Sequence, residues 1–165
     1  MLAAKPADLL ADFEAGQIDP ASFPHRDHVR VSYELLERHP FPEALLHLAR
    51  GLRRLAAKAG RPEVYHETIT AAFLALIAER RLRGSYADFQ DFAERNRDLF
   101  CKELLSKFYE PSVLQSSVAR QTFILPRPSA AFPPQSESAD VVFEVRALRQ
   151  SERSRGRSGD PGTVA

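Results

Sequence analysis

Two short stretches of this 165-residue chain hold the residue types that do chemistry. Phe23-Pro24-His25-Arg26-Asp27-His28 sets two imidazoles three residues apart, and Tyr65-His66-Glu67-Thr68 sets a third between a phenol and a carboxylate. On a helix, residues three apart lie about 60° from each other around the axis, so His25 and His28 can converge on one ion. His66 begins a stripe that continues through Ile69, Thr70, Phe73 and Ile77, which directs its ring into a core. Three neutral imidazoles suit a divalent transition metal (zinc, copper or iron) with one position open for water or substrate. His25, His28 and His66 are therefore the expected metal ligands. Glu67 becomes a fourth ligand or the general base for metal-bound water, and Asp27 the acceptor that fixes an imidazole tautomer. Tyr65 is a hydrogen-bond donor to an intermediate, while Arg30 and Arg120 are candidates for anchoring an anionic substrate. These roles describe a metal-dependent enzyme acting on a small molecule, by hydrolysis or oxidation.

The same residues admit two other expectations. One is a metal-free acid and base pair, with His66 and either Asp27 or Glu67 in the working roles. The other is a nonenzymatic helical interaction module whose histidines and acids form a buried polar network. The remaining histidines read as structural: His39 stands where a cation favours a helix C-terminus, and His47 falls off the leucine stripe of its helix. Cys101 lies beside Phe100 and Leu104 and reads as a small core or boundary residue, not a nucleophile. No nucleophile elbow, phosphate-cradling loop or dinucleotide fingerprint occurs, and seven glycines leave little material for them.

The elements that must position these residues read as helices, because apolar residues recur at three- and four-residue spacing. Expected helices cover Pro6 to Ala15, Pro24 to Arg38, Pro42 to Ala59, Pro62 to Leu82, a stretch after a Ser85/Asp88 capping box bearing Phe89 and Phe92, and Leu99 to Tyr109. Gly16 and Gly60 occupy stop positions, and Ser22 is a cap candidate ahead of Pro24. Leu45, Leu48, Leu52 and Leu55 form the inner stripe of the third helix. The fourth is apolar nearly all round from Ile69 to Ala78, the mark of a central helix. The fold class is thus all-α, a single-domain bundle of about six helices over residues 1–132. Pro126, Pro128, Pro133 and Pro134 then introduce an irregular, partly disordered tail over 133–165, with a short ordered segment at 140–148.

Composition narrows the class further. With 23 basic and 22 acidic residues, nothing global favours nucleic acid, which is left to weak contacts through tail arginines 146, 149, 153, 155 and 157. One cysteine excludes an internal disulfide and a cysteine-based zinc site. Lys5, Pro6 and Asp8 interrupt the N-terminus where a secretory signal needs an apolar run, and no later run spans a membrane. The expected setting is cytoplasmic, the expected partner a small-molecule substrate, and no segment specifies an oligomeric state.

Taken together, the Phe23-x-His25-x-Asp27-His28-x-Arg30 and Tyr65-His66-Glu67-Thr68 motifs, with Phe108-Tyr109 and Ala119-Arg120 downstream, resemble a family of small bacterial helical proteins without an assigned activity. The resemblance covers roughly Phe13 to Pro133. It implies that His25, Asp27, His28, His66 and Glu67 act as one unit, without supplying the chemistry of that unit.

Overall fold

The apolar spacing is realised as helices packed around three cores. The structure, a computed structural model, describes residues 8–126. Seven α-helices run in the order α1 (Leu9–Ala15), α2 (His25–Arg38), α3 (Phe41–Lys58), α4 (Glu67–Arg83), α5 (Phe89–Arg95), α6 (Pro111–Gln115) and α7 (Ser117–Gln121). No strand occurs among the described residues, so the all-α class holds. The expected tail and its 140–148 segment lie outside them.

Local chemistry sets most helix ends. Asp8 caps α1 by accepting the Ala11 N–H, and Gly16 ends it in the left-handed region at φ 72°. Gly60 closes α3 in the same way at φ 69°. Of the proposed capping box only Asp88 acts at the helix start, accepting the Asp91 N–H of α5. Ser22 does not cap α2; it belongs to a 3-10 turn, Pro20–Ser22, that Asp19 caps, and α2 begins directly after Pro24.

The first core joins α1, α2, α3 and α4 through Leu10, Phe13, Val31, Leu35, Leu48 and Leu74. Phe13 reaches so close to Gly51 of α3 that a Cβ there would stand 2.1 Å from the Phe13 ring. Glycine is therefore required by packing at this helix crossing. Fully burying a phenylalanine contributes about 1.5–3 kcal/mol, which fastens the seven-residue α1 to α3. The second core gathers Val29, Tyr33, Ile77, Phe92, Leu99 and Leu104, and the third Ala72, Leu105 and Tyr109. Helix α4 contributes to all three cores, as its nearly continuous apolar run requires.

The expected helix from Leu99 to Tyr109 is not formed. Its place is taken by two 3-10 segments, Arg97–Phe100 and Lys102–Lys107. Arg80 of α4 grips the Asp98 carboxylate with two hydrogen bonds of 2.5 and 2.7 Å, and buried Asn96 donates to the Phe92 carbonyl. These anchors pin the start of the segment, and apolar spacing of Leu104 and Leu105 is served as well by the tighter turn. Cys101, expected in a helical core or boundary position, is consequently exposed, with its thiol 3.0 Å from Glu103.

Candidate functional site

The first turn of α2 and the first turn of α4 face a common apolar interior. A cavity of about 450 Å3 is lined by His25, His28, Ser32, Thr70 and the hydrophobic faces of α2, α3 and α4. A second, of about 310 Å3, shares His28, Leu52, Ile69 and Thr70 with it and extends to Tyr65 and His66. His28 thus stands between the two, and all three predicted imidazoles border one cavity system.

Two of the three rings, His25 and His66, are held by backbone carbonyls. His25 Nε2 lies 2.9 Å from the Leu99 carbonyl, which can only accept, so that nitrogen carries the proton. Its ring meets Phe73 edge-on, with centroids 5.2 Å apart. The Phe23 ring packs against His28 with centroids 4.5 Å apart, and the Phe23 backbone favours the charged form of its imidazole. Burial, with a smaller contribution from the neighbouring His25, lowers the His28 pKa to about 4; the Phe23 backbone only partly offsets this. At neutral pH His28 is therefore an uncharged imidazole bordering both cavities.

His66 is buried, as its stripe predicts, but both its nitrogens are engaged. Nδ1 accepts the Ile69 N–H at 3.3 Å and caps α4; Nε2 donates to the Leu114 carbonyl at 2.8 Å. The expected convergence of His25, His28 and His66 on one ion is not realised. Among the described residues, the group of three histidine or carboxylate residues whose ligand atoms all lie within 4.8 Å of one another is instead Glu14, His39 and His47. Imidazole direction depends on which carbonyl holds each ring, and those carbonyls lie 74 residues away for His25 and 48 for His66.

The other predicted residues are placed as follows. Glu67 turns to α3, where Arg53 binds it at 2.5 Å, and it also accepts from the Tyr65 hydroxyl at 3.0 Å. It borders none of the three cavities of this region. The Tyr65 phenol is raised to about 12 by burial and then by the Glu67 charge, and Arg53 lies over its ring at 4.5 Å. Tyr65 consequently keeps its proton and faces the second cavity. Asp27 is partly buried in the first turn of α2 but lines none of these cavities. Arg30 is exposed and paired with Glu34 at 2.7 Å. Arg120 donates to the Glu63 carbonyl and borders a third cavity, of about 400 Å3, shared with His66. The arrangement thus brings His25, His28, His66, Tyr65 and Arg120 to the cavities and leaves Asp27, Glu67 and Arg30 outside them.

Sequence reading missed two contributors. Thr70 supplies a buried hydroxyl in both cavities that His28 borders. Thr68, fully buried, donates to the Thr122 carbonyl at 2.7 Å and accepts the Ile124 N–H at 3.1 Å, clamping the chain after α7 onto α4. A hydroxyl within an apolar stripe is the sequence signal for both. The Tyr-His-Glu-Thr motif is in large part a set of fasteners: to α3, to α6, and to residues 122–124.

Comparison with family models, with curated proteins and with solved structures finds no match. No helix among the described residues is long and apolar enough to cross a membrane.

Proposed function

We propose that the protein is a small-molecule enzyme that performs proton transfer in the cavity between α2, α3 and α4, with His28 as proton acceptor and His25 as its partner. The observation that carries this is the state of His28: a ring kept neutral by burial and bordering a cavity of about 450 Å3. A base with a pKa near 4 lies in the range of carboxylates that act as catalytic bases. Protonating it among apolar walls is costly, which favours rapid return of the proton to the bound molecule. The substrate class follows from the lining: largely apolar, small enough for the cavity, with one hydroxyl or N–H to meet an imidazole lone pair and one acceptor for the Thr70 hydroxyl.

The test is a ligand-observed screen of small alcohols, phenols and amides against wild type and His28→Gln. Binders that perturb the His28 ring and lose affinity at least about tenfold in the variant, about 1.4 kcal/mol, support this function. Binders indifferent to His28 refute it.

A second reading has its own support. A histidine that ligates a metal characteristically donates its other N–H to a carbonyl or carboxylate, and His25 does so. A divalent zinc, copper or iron ion on this pair, completed by water or substrate, would provide Lewis-acid or redox chemistry. Elemental analysis of untagged protein separates the two: stoichiometric metal lost on His28→Gln favours this second one. A cytoplasmic setting and membership of the small bacterial helical family belong to the same proposal and rest on composition and on the two motifs.

A further inference from the structure

The remaining two histidines form a group of their own at the other end of α2. His39 is the residue that ends α2, His47 lies on α3, and Glu14 is in the last turn of α1. His39 is fourteen positions after His25, about 21 Å along a helix, so this group is separate from the central cavity. The two rings stack with centroids 4.6 Å apart and planes 15° from parallel. Glu14 Oε1 is 3.2 Å from His47 Nδ1, and Glu43 Oε2 is 3.6 Å from His39 Nδ1.

We propose that Glu14, His39 and His47 form a binding site for one divalent transition-metal ion of the zinc class. Two imidazoles and a carboxylate are the donor set that borderline ions prefer, and three protein ligands leave a position for water. One ligand atom from each residue already lies within 4.8 Å of the others. Tetrahedral coordination at about 2.0–2.1 Å needs donors about 3.3 Å apart, so the three side chains draw together when an ion binds. Glu43 is placed to accept the other N–H of His39 and orient its ring.

The backbone frame is preset by unrelated contacts: Phe13 against Gly51 fixes α1 on α3, and Pro40 fixes the turn after His39. With side-chain exposures of 27% for His39, 40% for His47 and 35% for Glu14, an ion enters from solvent without unfolding anything. Arg54 donates to the Glu14 carbonyl and Arg38 pairs with Asp8, while Glu14 and Glu43 make the site locally acidic. An ion here ties three helices together.

The experiment is calorimetric titration of Zn2+ into untagged, chelator-treated full-length protein, with Co2+ visible absorption reporting four-coordination. The expected result is one equivalent bound, weakened about 100-fold or more in His47→Ala and His39→Ala and about tenfold in Glu14→Gln. His28→Gln should retain this binding, which distinguishes it from an ion on the central pair. Because the three side chains are partly exposed, metal-free variants should match wild type in helicity, and Co2+ should broaden the His39 and His47 ring resonances. Binding unaffected by His39→Ala and His47→Ala, or no saturable binding by wild type, overturns the proposal.

Discussion

If His28 is kept neutral by its surroundings, acid must cost the fold in a calculable window. Its pKa falls from 6.5 to about 4 on folding, chiefly through burial. Above pH 6.5 the ring is uncharged in both the folded and the unfolded chain, and the difference contributes nothing to a pH trend. As pH drops below 6.5 the unfolded chain takes up the proton first, so stability falls until about pH 4, where the folded ring also protonates. Each tenfold change in proton affinity is worth about 1.4 kcal/mol, so the full effect is roughly 3 kcal/mol, a large part of the stability of a domain this size. His28→Leu removes the titrating group while keeping an apolar wall. Urea unfolding followed by far-ultraviolet circular dichroism, from about pH 7.5 to about pH 4, gives both curves. Groups that do not interact with His28 titrate alike in both proteins and cancel in the difference, while His25 adds a smaller coupled contribution. Wild type should lose roughly 3 kcal/mol more than the variant, with the gap opening between the two pKa values. Parallel curves would mean that folding leaves the His28 pKa unshifted, and the proton-transfer proposal would fall.

Other perturbations have equally definite outcomes. Gly51→Ala gains about 1 kcal/mol of helix propensity but forces Phe13 from its place, so a net loss of about 1–2 kcal/mol is expected by urea unfolding. Thr68→Val leaves the Thr122 carbonyl and Ile124 N–H without this partner, and should cost about 1–3 kcal/mol with faster amide exchange at Ile124. His66→Ala removes the α4 cap and the Leu114 contact, lowering stability by about 1–2 kcal/mol, whereas His66→Asn should recover the capping share. If His66→Ala were as stable as wild type by chemical denaturation, its assignment as cap and clamp would be wrong.

Much of the frame was legible because helix patterning is local. Gly16 and Gly60 act where turn chemistry puts them, Asp88 caps α5 in place of Ser85, and the apolar run of α4 places it among all three cores. What local pattern cannot carry is a choice settled by distant atoms. Leu104 and Leu105 fit an α-helix and a 3-10 turn alike, and the Arg80 grip on Asp98, eighteen residues away, accompanies the tighter form. For the site, the helical face correctly sent His25, His28 and His66 to a shared interior, yet ring orientation was fixed by carbonyls far along the chain. Glu67 looked like a partner of His66 from its position, whereas its charge is taken by Arg53 across a helix boundary. Arg53 itself, with Arg54 and Lys58, fastens α3 to neighbouring segments. His39 and His47, read as structural, meet only because α2 and α3 turn back at Pro40.

The proposed chemistry depends on the lone pair of His28, and nitrogen-15 correlation spectroscopy of the histidine rings near pH 6 reads it directly. The expected spectrum has His28 neutral, in a single tautomer, and shifting when a cavity ligand is added. A His28 resonance with both nitrogens protonated at that pH would contradict it.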